Sequence, residues 1–96
     1  MKFTNYRVSA GRAAAILKKD LIGLNVIAPT GYMSSSVQER IGLVLQLRPD
    51  RAAPEVAFQF QWADEEGTAD IGVFKNEPIT LCLSPEQLHL IERLEA

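Results

Sequence analysis

Ninety-six residues with 47% hydrophobic and 23% charged side chains and a net charge of −2 have the composition of one globular domain, residues 1–96, and not of a disordered chain. No run of about 18 apolar residues occurs, so no membrane-spanning helix is expected, and residues 1–7 lack the apolar core of a signal peptide, which makes the cytoplasm the expected compartment. One cysteine, Cys82, excludes an internal disulfide and a cysteine-only zinc site.

The small net charge hides an asymmetry. Residues 1–51 carry eight Lys/Arg against three acids, a balance of +5, and residues 52–96 carry two against nine, a balance of −7. Such halves attract each other within one fold, stack between copies, or offer a basic and an acidic surface to a partner. Solvated faces without a role are the plain alternative.

In chain order, residues 2–8 alternate enough for a short strand, with Phe3 and Tyr6 partly buried. Ser9 suits a helix N-cap, because its hydroxyl can accept from a backbone N–H that would otherwise lack a partner. Ala13, Ile16, Leu17 and Leu21 follow at helical spacing, with Gly23 as the stop. Arg12, Lys18 and Lys19 then share the opposite face, and the two lysines suit the negative end of the helix dipole.

Residues 24–28 read as an apolar strand ended by Pro29, and residues 30–36 as a loop. Residues 39–48 are ambiguous. Ile41, Leu43, Leu45 and Leu47 alternate as in a strand, whereas Ser36-Val37-Gln38-Glu39 fits a capping box with a helix behind it. Gly42 and the short run before Pro49 favour the strand, with one helical turn ahead of it as a variant.

Residues 50–54 read as a turn. The run Val56-Ala57-Phe58-Gln59-Phe60-Gln61-Trp62 holds three of the seven aromatics and alternates strictly. It predicts a half-buried strand with Val56, Phe58, Phe60 and Trp62 on one side. Asp64-Glu65-Glu66-Gly67 is a tight charged turn, residues 69–74 a strand, 76–78 a turn and 79–83 a strand. The short connections predict that the last four strands form an antiparallel meander.

Ser84-Pro85-Glu86-Gln87 combines an N-cap serine, a proline at the first helical position and a glutamine able to close the capping box. Leu83 and Leu88 suit a hydrophobic staple. Leu90, Ile91 and Leu94 form the buried stripe, with Glu86, His89, Glu92 and Arg93 toward water.

These elements predict a two-layer α+β domain of order β-α-β-β-β-β-β-α, mainly antiparallel, with both helices on the face carrying Phe58, Phe60 and Trp62. The opposite face would show Val44, Gln46, Ala57, Gln59, Gln61, Thr80 and Cys82, neither strongly charged nor strongly apolar. Such a face is left wet or covered by another copy.

No catalytic, metal or cofactor site is expected. His89, the one histidine, stands on a surface helix face without a cleft or an orienting partner. Cys82 alternates with leucines and reads as a packed residue. Ser9-Ala10-Gly11-Arg12 opens a helix but lacks the spacing of a P-loop or a dinucleotide-binding turn. Asp64-Glu65-Glu66 are consecutive, so they cannot all face one ion. In the aromatic strand the rings alternate with Gln and Ala instead of Lys and Arg, which weakens nucleic-acid binding by base stacking.

The expected function is therefore that of a small non-enzymatic protein-binding module, an inhibitor or adaptor acting by contact with an unidentified protein partner, with homodimerisation as a second form of contact. The candidate partner-binding residues are Arg12, Lys18 and Lys19 on the helix and Tyr32 and Met33 in the loop. The alternative is a nucleic-acid-binding accessory factor using Arg7, Arg12, Lys18, Lys19 and Arg40. In size and in lacking a catalytic set the chain resembles the small proteins with which phages and mobile elements block host machinery. That resemblance covers no particular residues.

Overall fold

The computed structural model describes residues 2–30, 38–48, 55–65, 67 and 69–96. The elements are β1 (Thr4–Ser9), α1 (Ala10–Leu17) prolonged by a 3-10 turn (Lys18–Leu21), β2 (Asn25–Thr30), β3 (Gln38–Arg48), β4 (Val56–Trp62), β5 (Asp70–Phe74), β6 (Pro78–Leu83), a 3-10 turn (Pro85–Gln87) and α2 (His89–Glu95). The expected order of strands and helices is present, and the strands form one antiparallel sheet of order β1-β6-β2-β3-β4-β5. Residues 39–48 are strand.

The four-strand meander is corrected. Strands β3, β4 and β5 follow one another, but β6 leaves β5 and inserts between β1 and β2, so that Leu81 faces Tyr6 on one side and Val26 on the other. Residue 74 to residue 78 is four Cα steps, at most about 15 Å. Four inter-strand gaps in a flat sheet would span about 19 Å. The sheet must therefore coil, and α1 lies inside the coil: Ala10 N–H donates to Glu77 O at 2.9 Å. The strand characters agree with this placement. Ile79, Leu81 and Leu83 are at most 1% exposed, as suits a strand with neighbours on both sides, while β5 at the edge leaves Ile71 half exposed.

The core lies between the concave side of the sheet and the helices. Phe58, Phe60, Trp62 and Phe74 pack with Val26, Val44, Leu81, Leu83, Leu17, Leu21, Leu90 and Leu94. The rings touch one another: Phe60 stacks on Trp62 with centroids 4.5 Å apart, and Phe58 meets Phe60 edge-on at 5.9 Å. Such ring pairs add to the burial of their area. Two glycines make room for them. A Cβ on Gly42 would lie 2.7 Å from Trp62 Cε3, and one on Gly72 would lie 2.9 Å from both Phe60 and Phe74.

This close approach settles which way β3 faces. Gly42 and Val44 pair with Trp62 and Phe60 on the core side, so Ile41 and Leu43 point outward. The register then shifts between Val44 and Gln46, leaving Leu45 as the extra residue of a bulge. Beyond it Leu47 pairs with Phe58 and packs on the core, while Gln46 pairs with Gln59 on the outer side. Val44 therefore does not belong to the outer face, and the alternating Ile/Leu run is split between the two sides.

The helices are shorter than expected. Ser9 caps α1, its hydroxyl accepting from Arg12 N–H at 3.2 Å. The α-helix stops at Leu17 because Lys18 takes φ 51°, and the 3-10 turn and Gly23 carry the chain into β2. At the other end Ser84 N–H donates to Gln87 Oε1 at 2.9 Å, closing the capping box. The following turn is 3-10 wound, which rotates Leu88 outward: it is exposed, whereas its intended staple partner Leu83 is buried.

Two arginines pin the helices by their ends. Arg12 of α1 donates from Nε and Nη2 to Leu94 O near the end of α2, at 3.2 and 2.6 Å. Arg93 of α2 donates from Nη2 to Ile16 O near the end of α1 at 2.8 Å and pairs with Asp20 at 2.6 Å. Each supplies a cationic donor to carbonyls that a helix end leaves without intrahelical partners.

Candidate functional site

Three of the residues expected to meet a partner, Arg12, Lys18 and Lys19, fall among the described residues. Arg12 is engaged on Leu94 O. Lys18 and Lys19 are exposed, but they sit in the 3-10 turn and not on a helical face shared with Arg12. Tyr32 and Met33 lie outside the described residues. Of the cations in the nucleic-acid reading, Arg40 pairs with Asp64 at 2.7 Å and Glu65 at 3.0 Å and covers the Trp62 ring at 4.6 Å. Its hydrogen bond holds the Asp64 carboxyl below its ordinary range, and the pair raises Arg40 in turn. Arg7 is exposed on β1 opposite Thr80, while its neighbours Tyr6 and Val8 pack on the core. The sheet thus separates Arg7 from the lysines of the helix layer.

At the N-terminus of α1 two of the first-turn N–H groups have protein partners, since Ser9 Oγ accepts from Arg12 N–H and Glu77 O from Ala10 N–H. The charged turn after β4 is pinned as well: Gln61 Nε2 donates to Glu65 O at 2.7 Å. His89 is exposed at the start of α2. Among the described residues no group of three or more His, Cys, Asp or Glu is placed to hold a metal ion, and no helix is long and apolar enough to cross a membrane.

What the structure does assemble is apolar surface on the outer side of the sheet. Phe3, Ile41, Leu43, Leu45 and Ile71 are 36–50% exposed there or at its edge. Ile41 pairs with Ile27, which in turn pairs with Thr80, and Leu43 pairs with Asn25, which pairs with Cys82. The apolar centre thus spans β6, β2 and β3, bordered by Asn5, Asn25, Gln46, Gln59 and Gln61. A groove of about 380 Å³ runs between Phe3, Asn5, Asn25, Ile27, Ile41 and Cys82. Burial pushes the Cys82 thiol up, so it is not an activated nucleophile.

The expectation of a face neither strongly charged nor strongly apolar is half right. Charge is scarce, with Arg7, Glu39 and Arg48 at the margins, but the centre is apolar. The sign of this in the sequence was Gly42: a glycine under the bulkiest rings puts its large neighbours, Ile41 and Leu43, on the other side. No protein-family model matches the chain, and no curated protein or solved structure is detectably similar to it.

Proposed function

We propose that the chain is a non-enzymatic protein-binding module, an inhibitor or adaptor acting by contact, and that its working surface is the open face of the sheet. The carrying observation is the contiguity of exposed Ile41 and Leu43 with Ile27, Cys82 and Phe3 across neighbouring strands. Single exposed apolar residues are ordinary, whereas a charge-poor apolar centre with an amide and hydroxyl rim has the composition of an interface core. Nucleic-acid binding has less support, because Arg12 and Arg40 are engaged within the fold and Arg7 stands apart from Lys18 and Lys19.

The test is a photo-crosslinking residue at Gln59, on the open face, with a control at Glu92 on the helix layer. Discrete protein adducts at Gln59 and few at Glu92 are expected. Equal adducts at both positions, or retention on a polyanion column that falls steeply with salt, would contradict the proposal.

A further inference from the structure

We infer that α2 is a latch holding a strained break in α1, and that its release lets α1 run on as one helix through Leu21. The latch belongs to the helix layer and is independent of the open face of the sheet.

The break has no local cause. Between Ala10 and Ile22 there is no proline, and the one glycine, Gly11, lies well before the break. The apolar spacing also continues past it. Ala10, Ala13, Leu17 and Leu21, which an uninterrupted helix would set on one face, are all at most 1% exposed. Yet the α-helix stops at Leu17, and Lys18 takes φ 51° and ψ −129°. That region of backbone space suits glycine, and a residue with a side chain is strained there.

What holds the break comes from α2. In an uninterrupted α-helix the Ile16 carbonyl would accept from the N–H of Asp20, four residues on. Here Ile16 O accepts from Arg93 Nη2 at 2.8 Å, while Arg93 Nη1 donates to the Asp20 carboxylate at 2.6 Å. The guanidinium thus bridges the residues on either side of Lys18 and supplies a donor to the end of the broken helix. Arg12 fastens the other end of the pair, donating from Nε and Nη2 to Leu94 O. The Arg93–Asp20 pair is open to solvent, its side chains 42% and 55% exposed, and water competes with it. To these fastenings α2 adds two buried side chains, Leu90 and Leu94. A seven-residue helix held in this way opens more readily than the sheet core.

The two states differ in the surface they show. In the latched state Arg12 is tied to Leu94 O and Lys19 lies in the 3-10 turn. In the released state Arg12 and Lys19 stand seven residues apart on one helix and so share a face. The latch therefore conceals a basic helical face.

Two substitutions in the whole chain test this. Arg93→Met removes both donors and keeps the stem. By NMR, the Lys18 cross-peak between its own N–H and Hα, strong at positive φ, should weaken in this variant. Sequential amide–amide cross-peaks should then run from Leu17 to Leu21. Lys18→Gly reads the strain, because glycine suits the latched state and harms a continuous helix. It should raise the melting temperature of the unaltered chain by about 4–8 °C and lower that of the Arg93→Met chain. Opposite signs in the two backgrounds are the signature of coupling between residue 18 and α2. An unchanged Lys18 cross-peak in Arg93→Met would overturn the inference. So would a glycine that moves both melting temperatures in the same direction, or moves neither.

Discussion

The two sides of this sheet are both apolar, and they are apolar in different ways. On the concave side, Phe58, Phe60, Trp62 and Phe74 are at most 3% exposed and interlock with glycines cut to fit them. On the convex side, Ile41, Leu43 and Leu45 are aliphatic, 36–47% exposed and bordered by amides. Shape complementarity within the chain marks the side that folding uses. Apolar surface without an internal complement is the side proposed here for association.

Substitutions at adjacent positions break this comparison cleanly. The largest effect is expected at Phe60, which is fully buried. Phe60→Ala should cost about 3–5 kcal/mol, by lost burial and by the cavity left among the rings. Urea titration checks it, and a loss under about 1 kcal/mol would place the ring outside the core.

Gly42→Ala comes next. Its new methyl would meet Trp62 closer than real Cβ contacts come and would crowd Phe60, so the strand or the rings must shift, at about 1–3 kcal/mol. Leu43→Ala, one residue on and facing outward, should stay within about 0.5 kcal/mol. Equal losses at the two positions would merge the two faces. Thermal denaturation of both variants in parallel reads the contrast.

Arg12→Met should cost about 1 kcal/mol, because it keeps the stem and removes the donor from Leu94 O. An unchanged melting temperature would return Arg12 to the solvated basic surface that the helical pattern suggested.

The smallest effect concerns the pinned turn. Asp64 is held below its ordinary pKa by Arg40, so the pair's contribution is present above the unfolded carboxyl value near 3.9 and is lost as pH falls through the lower folded value. Asp64→Asn should therefore lower the melting temperature slightly at pH 7. The difference should close in strong acid. A difference that widens on acidification would contradict the sign of the interaction.

Much of the fold was legible because local chemistry determined it. Strict alternation placed Phe58, Phe60 and Trp62 inside, Ser9 and Ser84 began the helices, and Pro85 with Gln87 completed the second start. The departures have tertiary causes. The insertion of β6 between β1 and β2 depends on sheet coiling, which connection length alone does not reveal. The orientation of β3 depends on a glycine meeting two rings on another strand, and the bulge at Leu45 makes one alternating run serve both sides. The site was the least legible part. Arg12 reads as a free cation until α2 brings Leu94 O to it, and the open face exists only once six strands align.

The central claim, that Ile41 and Leu43 contribute to association and not to folding, is tested most directly by the unfolding free energy of the Ile41→Gln/Leu43→Gln double variant. It is measured at a concentration low enough to keep the chain monomeric, since a dimer's apparent stability rises with concentration. A value within about 1 kcal/mol of the unaltered chain is expected for side chains that fold into nothing. A loss of about 4 kcal/mol or more, on the scale of two large side chains removed from a packed interior, would show that this face is covered by the chain itself.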